Sequence, residues 1–241
     1  MFCESGKLIS LIITVGVIIV GCSVSVPQGD RLSEVEQLYD QQQYQNAMSV
    51  ARYNLNKKSS DLASITTVWK VQLVQGGKSI DYAQQFYLQA KERIIEKGAE
   101  LIPFMGKALL KDPYNTVRLF CLYALAEFED SLSTHYLVQV FDPGFTLGSK
   151  SSDVTLEFLR SEAAMALANH GYTDIYDQVV ELANSQDPEI QAKAVTVLAL
   201  VGGEKAIPVL EEISRQAHGK ADTDWVGELA DSTVARLKRG E

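Results

Sequence analysis

The chain has 241 residues, 46% of them apolar and 22% charged, with a formal net charge of −9. That is enough apolar chain to bury a core without staples, and the three cysteines, Cys3, Cys22 and Cys121, form neither a disulfide framework nor a CxxC metal motif. The acidic balance argues against a nucleic-acid partner, because phosphate binding needs a clustered Lys/Arg excess.

The first predicted element follows Lys7. From Leu8 to Val20 the chain is apolar apart from Ser10 and Thr14. Thirteen residues is the length of a signal h-region and short for a transmembrane helix. The run closes on Ile19-Val20-Gly21-Cys22, which resembles the lipobox of bacterial lipoproteins. The resemblance implies that residues 1–21 are a signal peptide and that Cys22 becomes the lipidated first residue of the mature chain. The alternative for the same segment is an uncleaved signal anchor. Several acyl chains anchor far more firmly than one. Ser23 follows the cysteine where an aspartate would imply retention at the inner membrane, so the resemblance favours the outer membrane, facing the periplasm. Residues 22–30 carry Pro27 and Gly29 and no helical period, as a short tether would.

Residues 31–78 predict helices, two of them flanking Gln41–Gln43 with Tyr39, Tyr44 and Ala47 at contact positions. This stretch resembles a single tetratricopeptide-type hairpin and serves as an N-terminal cap. A third helix begins at Ser60 or Asp61 and stops at Gly76-Gly77.

Residues 79–241 predict repeated helical hairpins. The clearest unit runs from Asp187 to Ser214. Asp187 is a good N-cap, Pro188 fits the first turn, Ile190, Ala194, Val195 and Leu198 share a face, and Gly202-Gly203 breaks the helix. Pro208, Leu210 and Ile213 then continue in a second helix. Leu159, Ala163, Ala164, Leu167 and Gly171 stand 31 positions earlier in the same register. Val117, Cys121, Leu122 and Leu125 repeat the pattern again, introduced by Asp112-Pro113. A weaker copy holds Phe86, Ala90, Ile94 and Ile102-Pro103, and Trp225, Val226, Leu229, Ala230, Val234 and Leu237 describe one last amphipathic helix. The units resemble HEAT-like repeats, which implies an all-α fold, an α-solenoid of stacked αα-hairpins. Cys121 then occupies a close helix contact, as Ala163 and Ala194 do.

No nucleophile motif, Gly-rich phosphate loop or HxxxH pair occurs, and His135, His170 and His218 are scattered. The expectation is a non-enzymatic chain with no cofactor, no metal and no catalytic residue. An insertion from Phe141 to Asp153 interrupts the repeat and carries Phe145 and Leu147. These two side chains either form a binding loop or tuck back onto the array. In HEAT-like solenoids the second helices line the concave side. Here they would present Lys107, His135, Asp177, Glu181, Glu211, Glu212 and Arg215, a surface suited to a polar or basic peptide or helix. The expected function is a protein-binding scaffold or assembly factor, tethered to a bacterial envelope through lipid on Cys22 and meeting another envelope protein or peptide. Two alternatives stand beside it. The short Ala-Ile-Pro repeats also resemble those of phycobilisome lyases, which attach bilins to cysteines. The chain would otherwise be a structural envelope protein without a dedicated partner.

Overall fold

The computed structural model describes residues 33–77, 79–146 and 154–240. Cys22, the tether and Leu147 lie outside the described residues. Every regular element among the described residues is helical.

Helix α1 (Glu34–Asp40) begins with a reciprocal capping box. The Glu36 amide donates to Ser33 Oγ, and Glu36 Oε2 accepts from the Ser33 amide at 3.0 Å. Helices α2 (Tyr44–Lys57) and α3 (Leu62–Gly76) follow, with Val35, Ala51 and Ala63 forming one small core and Tyr39, Ala47 and Val71 another. Four hairpins come next: α4 (Ile80–Lys97) with α5 (Ile102–Lys111), α6 (Asn115–Ala126) with α7 (Ser131–Phe141), α8 (Leu156–Asn169) with α9 (Tyr176–Leu182), and α10 (Pro188–Gly202) with α11 (Ile207–Ala217). Helix α12 (Asp224–Lys238) ends the described array.

Packing follows the repeat. The first helices α4, α6, α8, α10 and α12 each lie against the next, and one apolar cluster runs through them from Ile65 to Leu237. Cys121, Ala163 and Ala194 are all buried at this seam, where small side chains let backbones approach. Burial pushes the Cys121 thiol well above its ordinary range, and the Asp112 charge adds to the effect, so it packs as a small apolar group. A polar ladder runs along the same helices. Gln84 Nε2 donates to the Tyr123 hydroxyl at 3.0 Å, Tyr123 donates to Glu162 Oε1 at 3.2 Å, and Lys193 Nζ reaches the same Oε1 at 2.7 Å. One side chain from each of α4, α6, α8 and α10 thus holds the register between units.

The hairpin turns repeat as well. Pro103 and Pro208 sit in the first turns of α5 and α11, each preceded by a short 3-10 turn. The two glycines that end α10 have different tasks. A Cβ on Gly202 would come within 2.5 Å of the Tyr176 ring, and Gly203 has a φ of +50°.

Two expectations need correction. Asp187 caps α10, its carboxylate accepting from the Glu189 amide at 2.9 Å, but the similar Asp112-Pro113 pair does not open α6 in that way. Helix α6 starts at Asn115, and Asp112 is buried at 3% exposure, where groups from the cap surround it. Trp225 does not belong to the apolar face of α12. That face is Val226, Ala230, Val234 and Leu237, a set spaced by three and four, and Trp225 lies one residue round the helix. It stays 45% exposed and donates its Nε1–H to the Asp222 carbonyl at 3.2 Å.

Candidate interaction surface

The second helices pack unevenly. Helix α5 lies against α7, but no comparable packing joins α9 to α11, so a groove opens between them. The sequence explains why. Helix α9 is only seven residues long, because Gly171, with φ +73°, and the turn at Thr173–Ile175 consume most of the second-helix span. Its start is nevertheless fixed. Tyr176 donates its hydroxyl to the Lys205 carbonyl at 3.1 Å, and Lys205 Nζ sits 3.7 Å from the ring centroid. Tyr176 therefore ties the α9 wall to the turn that leads into α11.

The groove floor is apolar, from Val180 and Ala183 on one side and Pro208, Val209 and Ile213 on the other. Asn184, Glu212 and Gln216 add polar groups along it. Toward the end of α11 it continues into a polar cavity of about 650 Å³. Ser185, Gln191, Lys220, Asp222 and Thr223 contribute to the walls of that cavity. Gln191 donates to the Ser185 carbonyl at 2.8 Å, which orders the α9–α10 connection.

The four acidic residues singled out on α9 and α11 separate into three situations. Asp177 and Glu181 are exposed and one turn apart on α9, the helix that supplies one wall of the groove. Glu212 lines the groove, and hydrogen bonds from Arg215 and Gln216 hold its carboxyl below the usual range. Glu211 faces the other way and pairs with Lys238 of α12 at 2.7 Å. Lys107 and His135, also expected on this surface, are exposed on α5 and α7 but do not line the groove. Lys107 reaches Glu36 of the cap at 3.5 Å, and His135 contacts Gln139 at 2.6 Å.

Phe145 tucks back. It is half-buried against the main core, with the Arg118 guanidinium 5.8 Å from its ring, and its amide donates to the Asp142 carbonyl. Arg160 Nη2 holds the same loop through the carbonyls of Asp142, Pro143 and Phe145 at 2.7–3.1 Å. Among the described residues, no three His, Cys, Asp or Glu side chains converge as metal ligands would. No described helix is long and apolar enough to cross a membrane. Tyr176 and the groove between α9 and α11 were not singled out by sequence reasoning. The available signal was the Gly202-Gly203 pair, since the first of these leaves room for the Tyr176 ring.

The architecture is an α-solenoid of stacked hairpins. Its repeats are HEAT-like: a family model for HEAT repeats matches residues 157–226, which span α8 to the start of α12 and contain the whole groove. No curated protein matches the chain, and no solved structure does.

Proposed function

We propose that this chain is a non-enzymatic scaffold or assembly factor. It is anchored in a bacterial cell envelope by lipid on Cys22 and engages a segment of another envelope protein in the groove between α9 and α11. The supporting observation is the groove itself. It is an apolar strip with polar amides and the Glu212 carboxylate, in the part of the array that matches HEAT repeats. Stacked hairpins bury their own apolar faces against neighbours, so an apolar strip left open between two second helices is available to a partner. Glu212 in the lining and the exposed carboxylates of Asp177 and Glu181 on α9 favour a segment with basic residues beside its apolar contacts.

The test is capture of the full chain from mildly crosslinked envelope membranes, with quantitative mass spectrometry. The wild type should return a discrete protein partner. The Asp177→Lys/Glu181→Lys variant, changed only at exposed positions, should return roughly tenfold less of it, the size expected when like charges meet at an interface rim. No enriched partner, or equal recovery with the variant, would contradict the proposal.

A further inference from the structure

The end of the array carries a cluster that the proposed scaffold role does not use. His218 follows the last residue of α11. Its Nδ1 lies 3.1 Å from Asp224 Oδ1, and its Nε2 lies 2.9 Å from Asp231 Oδ2. Both aspartates are held in place independently. Ser214 donates to Asp231 Oδ1 at 2.6 Å, and the Gly219 amide donates to Asp224 Oδ1 at 3.1 Å. The imidazole rests against the backbone of α12 at Gly227, where an added Cβ would meet the ring at 3.1 Å. Beyond His218, the connection to α12 supplies Lys220, Asp222 and Thr223 to the wall of the polar cavity.

A neutral imidazole has one N–H, so it can donate to only one carboxylate while its other nitrogen presents a lone pair to the second. Only the imidazolium satisfies both. We infer that His218 is a proton-operated latch. Charged, it joins α11 to both ends of the first half of α12 and holds residues 219–223 as a cavity wall. Neutral, it loses one of its two ties and loosens that wall. The latch stands on the geometry of the α11–α12 corner, whether or not the neighbouring groove takes a partner.

The charged groups facing the ring are Asp224 and Asp231 from α12. The hydroxyl of Ser214, from α11, meets Asp231 and is uncharged. Arg215 is committed to Glu212, and Lys238 to Glu211. Hydrogen bonds that its ring N–H groups donate to Asp231 and then Asp224 hold the His218 imidazole above its ordinary range, and both carboxyls are held below theirs. The sign follows from linkage. A raised histidine contributes stability that is whole below its ordinary value, about 6.5, and is lost as pH climbs through the folded value. The lowered carboxyls keep the tie intact until the medium is strongly acidic. All three groups are solvent-accessible, so added salt should weaken the latch.

Hydrogen exchange of the full chain in detergent tests this at about pH 5.5 and about pH 8.5, on either side of the imidazole range, with rates corrected for intrinsic exchange. Amides of residues 217–224 should lose roughly two- to fivefold protection at the higher pH, the size of an exposed charge pair. The loss should vanish in His218→Gln and in Asp231→Asn. In parallel, the NMR titration midpoint of His218 should fall in Asp231→Asn and in Asp224→Asn. An equal pH-dependent loss in His218→Gln, or a His218 midpoint unmoved by both aspartate variants, would overturn the latch.

Discussion

Replacing Asp112 by alanine should destabilise the folded chain by about 3–5 kcal/mol, the cost of leaving a buried charge without its partner. Asp112 is 3% exposed and collects groups from three regions of the sequence. Its Oδ1 accepts from the Tyr39 hydroxyl of α1 at 3.2 Å and from the Tyr114 amide at 3.1 Å. Lys70 of α3 places Nζ 3.1 Å from Oδ2, off the line a hydrogen bond needs, and lies 3.8 Å over the Tyr39 ring. The Asp112 carbonyl receives Arg118 Nε at 2.5 Å. Burial pushes the Asp112 carboxyl upward against the pull of Lys70, so the ion pair is no simple gain. The damage arises instead from what truncation abandons: a mostly buried ammonium, a phenol and an amide. Asp112→Asn keeps an acceptor for Tyr39 and should cost less, about 1–3 kcal/mol. Urea denaturation of the full chain measures both. A loss below about 1 kcal/mol for the alanine variant would show that Lys70 and Tyr39 find other partners.

Phe120→Ala should cost about 3–5 kcal/mol through a different mechanism, lost transfer energy plus a cavity. Phe120 is 1% exposed in the middle of α6. Its ring meets Trp69 of α3 edge-on, with centroids 5.8 Å apart, and Phe86 of α4 at 5.5 Å. Such edge-to-face pairs contribute about 0.5–1.5 kcal/mol beyond the area they bury. The triad joins the cap helices to the first two hairpins, so the neighbouring backbones cannot close the gap without parting those units. The midpoint in urea should drop with an unchanged slope. A drop with a markedly smaller slope would indicate that the cap had separated from the array before the rest unfolded.

These two residues also mark where reading the sequence stops. The apolar periodicity was legible because every hairpin repeats the same contact: Cys121, Ala163 and Ala194 fill equivalent buried positions, and the Gly202-Gly203 break falls where α10 ends. Asp112-Pro113 looks like Asp187-Pro188 in letters, yet only the first has Tyr39 and Lys70 above it. Those partners stand 73 and 42 positions away, and no local spacing records them. The ladder of Gln84, Tyr123, Glu162 and Lys193 holds one register with four different residue types, so no repeated letter betrays it. Glu211 and Glu212 are adjacent in sequence but about 100° apart on α11, which sends one to Lys238 and the other into the groove. The groove depends on how short α9 is and on the Tyr176 clamp, both consequences of packing between units.

The proposed membrane location of this array rests on Cys22, and the most direct measurement is metabolic labelling with a clickable fatty acid, together with the intact mass of the purified chain. The wild type should carry the label and begin at Cys22, having lost residues 1–21. Cys22→Ala should be unlabelled and accumulate at precursor mass. Normal cleavage and membrane retention of the alanine variant would contradict the lipid anchor and the envelope location proposed with it.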